Sequence, residues 1–305
     1  MTREKFTMAE TPELPPIVCA VDDRYVSPLC VFMQSLSAAH PGLPLRVIVM
    51  HQGLTDGNCH RIHFHAERLG LRAELRAAPG VDPRYPVSMW VTDATYLRLA
   101  LPDVVTDYPL ALYMDVDLIV LRDLRRLLTT GLDGFPLAAV RDPLNPTLGT
   151  GFGLPGWQNL GLPASREYFN GGVILFNLPE CRRRGTFEAS QRFARDMPRH
   201  ILFWDQDALN WAVDDTWLRL DRCWNTLSVS ALSETFQDWK YLAEDVLPFS
   251  RLIEDERTAA VFHFAGPLKP WNPDYPAGPA RDLYASFARQ AAGSEPLAGV
   301  TEEKA

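Results

Sequence analysis

The sequence is short of what several classes of protein depend on. Its five cysteines (Cys19, Cys30, Cys59, Cys181, Cys223) are odd in number, widely spaced and free of any C-x-x-C pair. That indicates neither a zinc ribbon nor a disulfide framework, and it points to a reducing, cytoplasmic setting. No window is apolar over the length of a membrane span, and the opening MTREKFTMAETPELPP lacks the apolar core of a signal peptide. Basic residues are outnumbered, 30 Lys and Arg against 38 Asp and Glu, for a net charge of −8. Nonspecific nucleic-acid binding needs a basic footprint, so it is excluded as the main activity. An acidic chain that takes an anionic ligand needs local help from a metal or a few placed cations. Internal repeats, low-complexity tracts and a linker before Pro270 are missing too.

What is present is an ordinary globular composition, 47% hydrophobic and 22% charged over 305 residues, enough to bury a sizeable core in one α/β domain. The chain is organised around LALYMDVDLIV, Leu110 to Val120, an apolar run interrupted by Asp115 and Asp117. In one extended strand, side chains two apart share a face, so both acids converge. Burying two like charges is unfavourable unless a cation lies between them. Two readings stay open: a metal site, or a strand that stops at Met114 with the aspartates solvating a turn.

Ahead of this run the pattern is strand, helix, strand, helix, strand. IVCAV at Ile17 to Val21 is a buried strand, ending at Asp22. A helix capped by Ser27 and Pro28 runs to about His40; Leu45 to Met50 is the next strand. Thr55 or Asp56 opens a second helix to about Leu69, and Leu71 to Ala77 alternates as a third strand. This is a doubly wound βαβ sheet, whose ligand crevice lies beyond the carboxyl ends of its strands. His60, His63 and His65 in the second helix read as a solvated face rather than a metal site.

Later segments add Thr92 to Ala100 as a helix capped by Thr92, a helix from Asp123 to Leu128, and a strand Leu137 to Val140 leading to Asp142. Pro143 to Pro163 is irregular, either a lid or acceptor-side loop or a tolerated insertion. Tyr168 to Asn177 (YFNGGVILFN) is a strand whose glycines permit close approach to a ligand, or form a bulge. Pro179 to Met197 is a helix with a solvated Arg182, Arg183, Arg184 face. Trp204 to Asn210 opens another, where capping accounts for Asp205 or Asp207. Ala259 to Phe264 is the last strand; it carries His263 and leads into Gly266, Lys269, Pro270 and Trp271, a set suited to a diphosphate. An amphipathic helix follows Arg281. The ends, 1–16 and 291–305, read as a disordered lead and a flexible tail around a domain at 17–290.

Six segments in order, AVDDRY (Ala20 to Tyr25), TYLRL (Thr95 to Leu99), LYMDVDLIV, YFNGGVILFNL, WDQDALN and HFAGPLKPW, resemble glycosyltransferase family 8 from about Ile17 to Trp271. That family includes glycogenin and the bacterial lipopolysaccharide galactosyl- and glucosyltransferases. The resemblance implies a GT-A fold, a single Rossmann-like nucleotide-sugar-binding domain with a mixed central sheet. It implies a retaining hexosyltransferase of bacterial polysaccharide biosynthesis that uses Mn²⁺ (or Mg²⁺) and UDP-glucose or UDP-galactose. The acceptor, a glycan, a lipid-linked sugar or a protein, is not specified; its contacts are expected in Pro143 to Pro163 and Thr226 to Asp245.

Carried over residue by residue, Asp115, Asp117 and His263 are the implied metal ligands. Gly266 and Lys269 contact the phosphates; Ala20, Asp22 and Tyr25 line the uridine site; Val116 and Arg98 reach the donor. Asn170, Gly171, Asp205 and Gln206 hold the sugar, with Asp142 a less specific match. Gln206, Asp205 and Lys269 are the implied catalytic group. Arg24 departs from the family pattern and puts the base contact in doubt. Two rivals are a non-catalytic nucleotide-sugar-binding protein and a metal-dependent nucleotidyltransferase. The second is disfavoured because DDRYVSPLC, after the first strand, has no glycine.

Overall fold

The structure, a computed structural model, describes residues 14–88, 91–232 and 248–293. Alternating apolar residues in the first three strands, β1 (Ile17–Ala20), β2 (Arg46–His51) and β3 (Arg72–Ala77), send side chains to both faces of a parallel sheet. β4 (Leu110–Met114) adds to β1 in parallel. β6 (Leu137–Arg141) and β8 (Leu218–Arg219) form the far edge, and β7 (Phe169–Asn177) lies between β4 and β6, antiparallel to both. The sheet order is β3-β2-β1-β4-β7-β6-β8, a mixed α/β architecture.

Strands β1, β2, β4, β6 and β7 each feed two cores. Ile17, Val47, Leu112 and Val173 pack under the helices Val26–Ala39 and Asp56–Arg68, with Leu29, Phe32 and Ile62. Val18, Ile48, Tyr113, Ile174 and Phe176 face the opposite layer, with Leu178, Phe187, Phe193 and Leu209 from the helices Leu178–Arg184, Thr186–Asp196 and Trp204–Val213. Each such fully buried side chain contributes about 1.5–3 kcal/mol of transfer free energy. A small second sheet, β5 (Leu118–Val120), β10 (Val261–His263) and β9 (Thr226–Leu227), sits beside the first. The helix Pro279–Ala292 packs on Val26–Ala39, with Phe264, Tyr275 and Tyr284 between.

Several expectations need correction. The run Leu110 to Val120 is not one strand. After Met114 the backbone makes one more link, Asp115 N–H to Gly172 O at 2.9 Å, and then turns so that Leu118 pairs with His263 in the other sheet. The first helix is capped not by Ser27 but through a short 3₁₀ turn, Asp23–Tyr25, whose N-cap Asp22 accepts from the N–H groups of Arg24 and Tyr25. Asp93–Ala100 is a 3₁₀ helix with no side-chain cap from Thr92. The helix expected over Pro179 to Met197 breaks at Gly185, whose φ of +64° is left-handed. His65 is fully buried, not solvated.

The segment Pro143 to Pro163 is tied down. Asn145, Thr147, Leu148 and Leu154 are buried, and Leu154 N–H donates to Asp207 Oδ1 at 2.8 Å. The helix Phe249–Thr258 and the strands β8 and β9 carry no signal that sequence periodicity picked out. Most of the lead expected at 1–16, most of the tail at 291–305 and residues 233–245 of the Thr226 to Asp245 region lie outside the described residues. Among the described residues no helix is long and apolar enough to cross a membrane.

Candidate active site

Strand direction decides where the site lies. β1 and β4 end at Ala20 and Met114, while antiparallel β7 begins at the same edge, with Met114 opposite Val173. The polar start of β7 therefore meets the acidic end of β4. Here a cavity of about 450 Å³ opens, a volume ordinary for a small-molecule site. Its lining includes Ala20, Asp22, Tyr25, Arg98, Asp115, Val116, Asp117, Asp142, Asn170, Gly171, Asp205, Gln206, His263, Gly266 and Lys269. The residues named in the sequence as metal, donor and catalytic positions all line this cavity. Arg24 does not: its side chain folds back onto Asp22, Nη2 to Oδ2 at 2.9 Å, and stays in solvent.

Asp115, Asp117 and His263 each present one ligand atom, and these atoms lie within 4.8 Å of one another. Two carboxylate oxygens and one imidazole nitrogen form a donor set that suits Mn²⁺ or Mg²⁺ with oxygen ligands completing the shell. The bend after Met114, rather than strand alternation, brings the two carboxylates together. Asp117 is buried with His263 Nε2 at 3.4 Å from Oδ1 and Lys269 Nζ at 2.5 Å from Oδ2. Burial alone would raise its carboxyl, but the Lys269 ammonium beside it outweighs that and holds Asp117 below the usual carboxylate range. Lys269 also donates to Phe264 O at 2.9 Å, which leaves one of its three N–H directions for a ligand. Gly266, at φ +96°, takes the left-handed turn that precedes it.

On the opposite wall Arg98 is buried, with its guanidinium 4.2 Å over the Tyr113 ring. Its Nη2 donates to Asp115 Oδ1 at 3.1 Å, Nη1 donates to Gly171 O, and Nε lies 2.8 Å from Asp205 Oδ2. Arg98 therefore aims Asp115 more than it faces the cavity. Burial pushes the Asp205 carboxyl up to about 6, with Arg98 opposing and Asp115 adding to the rise. Capping accounts for Asp207, whose Oδ2 accepts from Leu202 and Phe203 N–H at 2.7 Å, but not for Asp205. The Gln206 amide is held at both ends: Oε1 accepts Gly171 N–H at 2.7 Å and Nε2 donates to Tyr168 Oη at 3.1 Å.

The paired glycines of β7 admit protein rather than ligand. A Cβ on Gly171 would lie 2.4 Å from Arg98 Nη1, and one on Gly172 would lie 2.3 Å from His263 Cε1. The two glycines also lie in a bulge, the other reading of this segment: Ala139 pairs with Ile174 and Arg141 with Phe169, so the extra residues between β6 and β7 are those of the glycine-bearing start of β7. Sequence reading missed Asn225, which contacts His263 Nδ1 at 2.8 Å across 38 residues of sequence, and Thr95, whose hydroxyl donates to Asp205 at 3.0 Å. Thr95 lay inside a quoted motif; Asn225 had no signal at all.

The model of the family described as glycosyl transferase family 8 matches residues 16–274. General stress protein A of Bacillus subtilis is 26% identical over 279 residues, 89% of this chain and 92% of its own length. The lipopolysaccharide 1,2-glucosyltransferase of Escherichia coli is 25% identical over 269 residues, covering 86% and 74%. Some matches are to longer proteins: this chain spans 23% of Streptococcus pneumoniae GlyA, at 29% identity over 188 residues. Among solved structures, galactosyltransferase LgtC in complex with donor and acceptor sugar analogues superposes with a TM-score of 0.72. It is 26% identical and covers 94% of this chain and 98% of its own. The fold is that of GT-A glycosyltransferases.

Proposed function

The chain belongs to glycosyltransferase family 8, and from that premise we propose that it is a retaining, metal-dependent hexosyltransferase. It moves glucose or galactose from a UDP-sugar to a glycan, free, lipid-linked or protein-borne, in the cytoplasm. The observation that carries this reading is the convergence of Asp115, Asp117 and His263 on a cavity that also holds Lys269 and the left-handed Gly266 turn. The domain is 17–290.

Asp115, Asp117 and His263 hold a divalent cation, Mn²⁺ or Mg²⁺, which when bound neutralises charge on the leaving diphosphate. Lys269 adds its remaining N–H, and Gly266 a backbone that a phosphate approaches closely. Ala20, Asp22 and Tyr25 flank the uridine, Tyr25 fixed edge-on against Trp271 at 5.9 Å between ring centres. Asp142, Asn170 and Asp205 face the hexose. In the reaction the bond from the sugar's anomeric carbon to the UDP oxygen breaks, and the acceptor oxygen bonds to that carbon from the same face. The acceptor's proton passes to the departing phosphate oxygen.

Retention through a covalent intermediate would need a nucleophile under the sugar. Gln206 is an amide whose oxygen already accepts from Gly171 N–H, so the same-face route is favoured. Calorimetric titration with UDP, in Mn²⁺ and in EDTA, tests the donor site, and release of UDP from UDP-glucose or UDP-galactose tests turnover. Metal-dependent UDP binding with turnover is the expected result. Binding without turnover would favour a non-catalytic binding protein, and absence of UDP binding in both conditions would overturn the donor assignment.

A further inference from the structure

The ring of His263 is held from behind by a chain of amides whose polarity is fixed at its far end. His263 Nδ1 lies 2.8 Å from Asn225 Oδ1, Asn225 Nδ2 donates to Asn170 Oδ1 at 2.8 Å, and Asn170 Nδ2 donates to Asp142 Oδ2 at 3.1 Å. All four residues are buried. Amide orientation is ordinarily ambiguous, because oxygen and nitrogen are near-equivalent in shape. Here it is decided by Gly172 N–H, which only donates and points at Asn170 Oδ1 at 2.9 Å, leaving Asn170 Nδ2 to meet Asp142 Oδ2.

Asn170 therefore has one permitted orientation. With Asn170 Oδ1 turned to Asn225, Asn225 must present its NH₂ there and its oxygen to the histidine. An oxygen opposite Nδ1 requires the proton on Nδ1. The lone pair is then on Nε2, the nitrogen that faces Asp117.

We propose that Asn225 is a positioning residue that selects the Nδ1–H tautomer of His263, and that it takes its own orientation from Asp142 through Asn170. The inference rests on the reading of His263 as a cation ligand. It extends that reading by linking a carboxylate on the sugar side of the cavity to the nitrogen offered on the cation side. Gly172 has a double part: its N–H sets the polarity, and its missing Cβ makes room for the ring. Partners that orient a ligating histidine typically change metal affinity about 10- to 100-fold when removed.

The test uses the full chain without metal. Nitrogen-15 NMR of the imidazoles, at a pH where the ring is neutral, is expected to show His263 protonated on Nδ1; protonation on Nε2 overturns the proposal without recourse to any variant. Asn225→Leu, if folded by circular dichroism, is expected to give a mixed tautomer and Mn²⁺ affinity about 10- to 100-fold weaker by calorimetry. Asn225→Asp keeps an acceptor opposite Nδ1 and is expected to retain the tautomer and most of the affinity. Wild-type affinity in Asn225→Leu, or a loss in Asn225→Asp as large as in Asn225→Leu, would overturn it. If wild-type protein binds no Mn²⁺ while the tautomer is Nδ1–H and shifts in Asn225→Leu, tautomer selection stands and the cation-ligand reading of His263 falls.

Discussion

Two cavities of similar size, about 450 and 500 Å³, lie on either side of the chain that leaves β6. Asp142, Leu144 and Asn145 turn to the first; Arg141, Pro143 and Pro146 turn to the second. The larger is lined by four arginines and three carboxylates, and its charges satisfy one another. Glu167 pairs with Arg141 at 3.1 Å and Arg219 at 2.6 Å, and Asp255 with Arg222 at 2.7 Å and Arg251 at 3.4 Å. The smaller has five carboxylates, of which Asp22 pairs with Arg24 and the other four face Arg98 and Lys269, three of these with oxygens in reach of either cation. Volume does not separate them; uncompensated buried charge does. An excess of buried carboxylate is costly until a cation arrives, and a balanced rim asks for nothing.

The largest break in that contrast is Asp117→Ala. It removes a candidate cation ligand and strands the buried Lys269, so UDP binding in Mn²⁺ should be lost by calorimetry. Denaturant unfolding should show a loss of about 3–5 kcal/mol; near-wild-type stability would mean that Lys269 has another counter-ion. Gly172→Ala should follow, at about 1–3 kcal/mol by thermal unfolding, because its Cβ must displace the His263 ring. The same variant should bind Mn²⁺ more weakly, and unchanged Mn²⁺ affinity would show that the ring relocates without harm.

Gln206→Ala takes away a group that spaces Gly171 from Tyr168, with Asp115 untouched. Transfer should slow by about a hundredfold without vanishing, read as initial rate at saturating donor; total loss with intact UDP binding would count against the same-face route. The smallest effect is expected in the second cavity. Arg222→Ala breaks a partly exposed pair worth about 0–1 kcal/mol and should leave UDP affinity within error. A large loss of donor binding there would erase the distinction between the two cavities.

Much of this was legible in the chain. The β1 to β3 alternation with helices is local, and apolar runs such as IVCAV and LRVIVM announce strands buried on both faces. Each of the six motifs contributes residues to one cavity, although Arg24 stays outside it. What stayed open or failed was how the chain gets there. Asp115 and Asp117 were read either as one strand's face or as a turn after a strand that stops at Met114; the strand does stop there, and the two acids meet because the chain then passes to the other sheet. The glycines of YFNGG were read as room for a ligand or as a bulge; they lie in a bulge, and the room they leave houses Arg98 and His263. Arg98 was expected to reach outward to the donor; its guanidinium donates to Asp115 and Gly171 O and lies in ion-pair contact with Asp205.

By itself the sequence determined the periodic elements, the acidic balance and the chemical types gathered in the motifs, since these depend on residues a few positions apart. Only the tertiary structure decided that β7 runs against β4, so that a strand's start and another's end share an edge. It alone brought Asn225 to His263 from 38 residues away. Hydrogen-bond polarity passes through such contacts without regard to sequence distance, so the tautomer of a histidine cannot be read until every donor and acceptor around it is in place.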